Sequence, residues 1–193
     1  AMNTAGVPIF VSIDQEGGRV CRLKEPFSSF PFQFLLGRAG SSDLAFRFGK
    51  ALGKELRSIG INVNYSPVLD VNTNPSNPII GERAISGDAE ITARMGSAII
   101  EGILEAGVIP VGKHFPGHGH TELDSHLALP VVCKDVKTLE KEELLPFIFA
   151  AKGPLPMIMT AHVIYQNWDK MVPATFSKFI LTDLLRIKLG FEG

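Results

Sequence analysis

The sequence predicts an α/β fold of the TIM (β/α)8-barrel type, present as a partial barrel of about four β/α units. Three observations predict it. Four amphipathic helical segments recur along the 193 residues, each closed by a glycine. Apolar extended runs alternate with those helices, the pattern of a parallel sheet covered by helices. Residues able to do chemistry gather just after the apolar runs, whereas the helix-to-strand links are short. That asymmetry places a site at the C-terminal ends of the strands.

The first strand spans Pro8 to Asp14 and leads into Gln15-Glu16-Gly17-Gly18. A helix from about Asp43 to Ile59 follows, with Ser42 as N-cap and Leu44, Phe48, Leu52 and Leu56 as its buried stripe. Gly60 ends it, and Ile61 to Val71 is extended. The second helix opens at Asp88 and carries Ile91, Met95, Ile99 and Ile103 on one face; Gly107 then precedes the strand Val108 to Lys113. A third helix starts after Thr138 and runs to about Ala151, kinked by Pro146, and Gly153 precedes the strand Leu155 to Ala161. The fourth helix spans about Lys178 to Leu189. A full barrel of this type takes about 250 residues. The expectation is therefore one truncated domain over residues 1–193, lacking a helix before its first strand and a strand after Gly190. A small, complete, open α/β sheet is the competing reading.

Composition narrows the class. Hydrophobic residues are 45% and charged residues 20% of the chain, enough apolar content to exclude disorder. Nineteen basic against 20 acidic side chains give no electrostatic reason to expect nucleic acid or an anionic membrane as partner. No apolar run approaches the roughly 20 residues of a membrane helix. Residues 1–4 carry no basic signal-peptide start, and Cys21 and Cys133 are too few for a disulfide framework. None of this fixes the compartment; the cytoplasm is the expectation, with an exported form left open.

Four of the five histidines, His114, His118, His120 and His126, lie within one Gly- and Pro-containing loop after the strand Val108 to Lys113. Such a cluster can ligate a metal, act as acid and base, or be a solvated loop. The spacing of His114 and His118 matches H-x3-H, yet a loop fixes no common face for zinc. Acid/base work fits better: Asp124 stands two residues before His126, close enough to hold one ring nitrogen and leave the other free. At the first strand end, Asp14 with Arg19 and Arg22 nearby suits hydrogen bonds to sugar hydroxyls. Glu16 there reads as an ordinary solvated turn residue, and no G-x-G-x-x-G phosphate loop follows. Asp70 and Arg83 flank another loop, and His162 reads as a core or rim histidine.

Three phrases in order carry a resemblance: Ile13-Asp14-Gln15-Glu16-Gly17-Gly18-Arg19-Val20, Gly81-Glu82-Arg83-Ala84-Ile85-Ser86, and Lys113-His114-Phe115-Pro116-Gly117-His118-Gly119 through Asp124-Ser125-His126. Together they resemble the catalytic domain of glycoside hydrolase family 3, and the Asp-Ser-His ending resembles its β-N-acetylglucosaminidase branch. The resemblance implies a TIM barrel and removal of terminal β-linked N-acetylglucosamine from cell-wall muropeptide or chitin-type fragments by a retaining mechanism. It implies His126 as acid/base, Asp124 as its orienting carboxylate, and Asp14, Arg22, Arg83, Lys113 and His114 as sugar-binding residues. It implies no metal and no organic cofactor. The family usually has an aspartate where His120 stands. Its aspartate nucleophile belongs to a Ser-Asp phrase expected after Gly193, so the 193-residue chain alone is expected to be inactive and, with open barrel edges, to self-associate. The alternatives are a β-glucosidase of the same family, a non-catalytic sugar-binding fragment, or a metal-dependent hydrolase using the His114 to His126 loop.

Overall fold

The structure, a computed structural model, describes residues 6, 7, 9–124 and 127–193. Its centre is a four-stranded parallel sheet of β1 (Ser12–Ile13), β4 (Val63–Asn64), β5 (Ile109–Phe115) and β7 (Met157–Thr160), hydrogen-bonded in that order. Ser12 pairs Val63, Val63 pairs Ile109, and Val111 pairs Met157. Spatial order follows chain order without reversal. That is the arrangement of an arc of a (β/α)8 barrel, whereas a doubly wound sheet reverses at a switch point. Two small sheets sit beside it. One is the hairpin of β2 (Gln15–Gly17) and β3 (Val20–Cys21); the other is a parallel pair of β6 (Val131–Val132) and β8 (Ile164–Tyr165). Gly17 and Gly18 make the hairpin turn at φ +97° and +58°, a region closed to most side chains.

The helices are α1 (Gln33–Ala39), α2 (Ser42–Ser58), α3 (Ala89–Glu105), α4 (Val136–Lys141) and α5 (Leu145–Lys152), followed by a π-helical segment, Phe179–Lys188. Asp88, where the sequence predicts the helix to open, caps α3, accepting from Ile91 N at 2.8 Å. Helices α2 and α3 approach closely because glycines lie between them: a Cβ on Gly49 would run into Ile99 O, and one on Gly102 into Phe46 O. Their facing side chains, with Leu52, Leu56, Met95, Ile99 and Ile103 fully buried, form one core; a second lies around Phe115, Phe147, Tyr165 and Leu184.

Several expectations are corrected. Ser41, not Ser42, caps α2, accepting from Leu44 N at 3.2 Å. Leu44 is 40% exposed, because the buried stripe runs through Ala45, Phe48 and Leu52. Among the described residues the extended run 61–71 pairs only at Val63–Asn64 and, through an isolated bridge, at Val68 with Lys113. The third helix is two helices. Pro146 has no N–H to offer residue 142, so it is tolerated only in the first turn of a new helix, where it stands in α5. Helix α1 was not foreseen from the sequence. The start of the first predicted strand, Pro8, lies outside the described residues.

Candidate active site

The strand ends converge. Asp14 follows β1, Glu16 lies on β2, Arg83 closes a 3-10 turn at Gly81–Arg83, Lys113 and His114 stand on β5, and His162 follows β7. All line one cavity of about 400 Å³, with Arg22 and His118 also on its wall. The support lies behind them. Buried Gln33 of α1 donates to Glu16 O and Ser66 Oγ, both at 3.2 Å, and accepts from Val68 N, tying the hairpin to the sheet.

Two cations and two carboxylates form the floor. Lys113 is 2% exposed, and its Nζ lies 2.6 Å from both Asp14 Oδ1 and Glu16 Oε1. Arg83 grips Glu16 as a fork, Nε to Oε2 at 2.9 Å and an Nη to Oε1 at 2.8 Å. Burial alone would raise the Glu16 pKa. The Arg83 hydrogen bonds and the charges of Lys113 and Arg83 overcome it and hold the carboxyl below its usual range. Burial likewise works against the Arg83 guanidinium, and Glu16 more than compensates. Formal charges cancel across the four groups. Asp14, 36% exposed, keeps carboxylate surface toward the cavity.

Behind this floor Asp70 is fully buried. Its Oδ1 accepts from His114 N at 3.0 Å and His118 N at 2.7 Å, and its Oδ2 lies 2.7 Å from His114 Nδ1. Burial pushes its pKa up, but the charges of His114 and His118 and the hydrogen bonds from His114 prevail and hold it at about 2. The ionised Asp70 thus fixes the His114 ring, leaving Nε2 as the nitrogen available to a ligand. Burial lowers the His118 pKa, in spite of the pull of Asp70.

The loop after β5 is clasped at several points. Asn77 Nδ2 donates to His118 O, Gly119 O and Thr121 Oγ1, while its Oδ1 accepts from Ile79 N and Ile80 N. One side chain therefore ties this loop to the segment that leads to Arg83. Tyr165 donates to Gly117 O, and His120 Nδ1 lies 3.1 Å from Thr73 Oγ1. Buried Glu143, its pKa raised by burial, accepts from Lys134 at 3.0 Å and from Thr73 at 3.0 Å.

Residues 1–193 match the sequence pattern of the "Glycosyl hydrolase family 3 N terminal domain" over their whole length. This chain belongs to glycoside hydrolase family 3. Among its relatives is a "Beta-hexosaminidase A" from Pseudoalteromonas piscicida, 43% identical across 97% of this chain and 34% of that one. Among solved structures, a glycoside hydrolase family 3 β-N-acetylglucosaminidase from Paenibacillus sp. str. FPU-7 superposes with a TM-score of 0.96 at 44% identity, over 98% of this chain and 36% of that one. NagZ from Neisseria gonorrhoeae, in complex with N-trifluoroacetyl-D-glucosamine, gives a TM-score of 0.90 at 36% identity, over 95% and 55%. The chain thus spans between a third and just over half the length of these family 3 relatives.

Of the residues singled out in the sequence, the family 3 fold brings Asp14, Arg22, Arg83, Lys113 and His114 to one cavity. Asp124 is half-buried, its carbonyl accepting from Leu127 N and Ala128 N at 3.0 Å. His126 lies outside the described residues. Glu16 is no solvated turn residue: at 1% exposure it is the shared partner of both cations. Arg19, read as a fork near Asp14, instead donates to Ile79 O. Sequence reasoning named Asp70 without giving it a role; its place at the end of an extended run was the available signal. Among the described residues no three His, Cys, Asp or Glu side chains converge on a point that could hold a metal ion.

Proposed function

We propose that the whole protein is an exo-acting β-N-acetylglucosaminidase that releases terminal β-linked N-acetylglucosamine, with retention, from cell-wall muropeptides or related chitin-type fragments. The observation that carries the reading is the charge-balanced floor of Asp14, Glu16, Arg83 and Lys113 beside His114, at the C-terminal edge of the parallel sheet. Such a floor offers fixed donors and one exposed carboxylate to a neutral polyhydroxyl ring, as sugar recognition requires. The hexosaminidase names of the relatives and the glucosamine derivative bound by gonococcal NagZ support the choice of sugar.

In this proposal Asp14, Arg22, Arg83, Lys113 and His114 hold the ring. His126 gives its proton to the glycosidic oxygen while an aspartate outside residues 1–193 attacks C1 and the leaving group departs. The neutral imidazole then takes a proton from water, which attacks C1 and releases the sugar and the aspartate. Asp124 holds the imidazole in place. A histidine suits this role because its neutral form adds no negative charge beside a carboxylate nucleophile. The cytoplasm is the proposed compartment, in keeping with Cys21 and Cys133 both unpaired. His126→Ala in the whole protein is expected to lower kcat on an aryl N-acetyl-β-glucosaminide by roughly 10²–10⁴-fold. Product affinity should hold. Unchanged kcat would remove His126 from the mechanism.

A further inference from the structure

Beside His114 and His118 the cavity holds a third fixed imidazole, one that the sugar-binding set above does not use. His162 follows β7, is exposed, and lines the cavity. Its ring is tied: Nδ1 lies 2.8 Å from Thr175 Oγ1, on the short 3-10 turn Ala174–Phe176. Thr175 Oγ1 also meets Ala161 O at 3.1 Å and Thr160 Oγ1 at 2.9 Å. Only one of these three contacts can take the single hydroxyl hydrogen of Thr175. The Ala161 carbonyl can only accept, so that contact takes the Thr175 hydrogen. The Thr175 oxygen then accepts from both other neighbours, the Thr160 hydroxyl and the His162 Nδ1–H. Neutral His162 is thereby set in the tautomer whose Nε2 bears no hydrogen. Among the described residues Nε2 has no hydrogen-bond partner.

That leaves an acceptor where the neighbouring side chains mostly donate. Arg22, Arg83 and Lys113 have no acceptor to offer, and Asp14 is the exposed carboxylate of the floor. Beyond Asp14, a donating sugar hydroxyl therefore finds its acceptors in the two imidazoles, His114 Nε2 and His162 Nε2. We infer that His162 is a specificity residue whose Nε2 accepts a hydrogen bond from a hydroxyl of the bound sugar, in the tautomer set by Thr175. The inference rests on the glycosidase reading above and adds one contact to it.

The test uses the whole protein, an aryl N-acetyl-β-glucosaminide, and its 3-, 4- and 6-deoxy analogues, with sugar affinity measured alongside by calorimetry. His162→Ala is expected to lower kcat/KM on the parent substrate about tenfold, the scale of one hydrogen bond, at an unchanged melting temperature. For one deoxy analogue the same variant should cost nothing further, because the hydroxyl that met Nε2 is already gone. Thr175→Val should reproduce most of the loss and Thr175→Ser should not, since serine keeps the accepting oxygen. Wild-type discrimination among the analogues retained in His162→Ala overturns the contact. Equal behaviour of the two Thr175 variants overturns the tautomer assignment. A wild-type protein that neither binds nor cleaves the sugar overturns the glycosidase reading and this inference together.

Discussion

Asparagine at position 70 would keep the shape of the side chain and remove its charge, which isolates what the buried carboxylate does. Asp70 ionises near 3.8 in an unstructured chain and at about 2 in the fold. Between those values the unfolded chain binds more protons than the folded one, so stability rises with pH. The contribution is fully present above the unfolded value, about 2.5 kcal/mol, and is lost as pH falls through the folded value, with about half remaining at pH 3. Asp70→Asn has no such dependence. In urea unfolding, the stability gap between wild type and the variant should therefore shrink by about 1 kcal/mol from pH 5 to pH 3. Other carboxylates titrate in the same range, Glu16 among them, but they cancel in the difference. The variant also disturbs the site. The asparagine oxygen is needed by His114 N and His118 N, so its NH2 must face His114 Nδ1. The His114 hydrogen moves to Nε2, and an acceptor toward the cavity becomes a donor. A gap that stays constant with pH would refute the assignment of an ionised, histidine-held Asp70.

Further expectations follow from the same packing. Glu16→Gln leaves Lys113 and Arg83 buried with one carboxylate between them. The cost should be about 3–5 kcal/mol, a fall in Tm of roughly 10 °C by calorimetry, and a wild-type Tm would show the network to be dispensable. Gly119→Ala puts a methyl group into the Val71 carbonyl oxygen, so the loop must shift. kcat of the whole protein should drop, and an unchanged kcat would mean that loop position does not limit turnover. The 193-residue chain should self-associate in sedimentation experiments. Among the described residues β1 and β7 are open sheet edges, and Phe176 and Ile187 are 74% and 72% exposed. A monomer at all concentrations would contradict this.

Much of the fold was legible because periodicity reports burial directly. Met95, Ile99 and Ile103 recur at helical spacing and pack as that spacing requires, and Asp88 caps the helix it precedes. The strand ends were legible for a related reason: apolar runs stop where the chain reaches polar surroundings, and Asp14, Lys113 and His114 stand at such stops. Local pattern could not decide which charge meets which. Glu16 and Lys113 are 97 positions apart in the chain, and Glu16 and Arg83 are 67 apart. Nothing near Glu16 in the sequence separates a solvated carboxylate from the shared partner of two buried cations. The sheet register decides it, by setting β5 within reach of the β2 hairpin and thereby excluding water from the pair. Asp70 is the same case: a carboxylate at a strand end has a role only once β5 gives it His114 and the loop after β5 folds back to give it His118. Sequence alone thus determined the alternation of helices and strands, the family and the set of side chains available for chemistry. Tertiary structure alone decided their pairing and burial, because electrostatic partnership depends on distance and dielectric, and neither is a property of neighbouring positions in a chain.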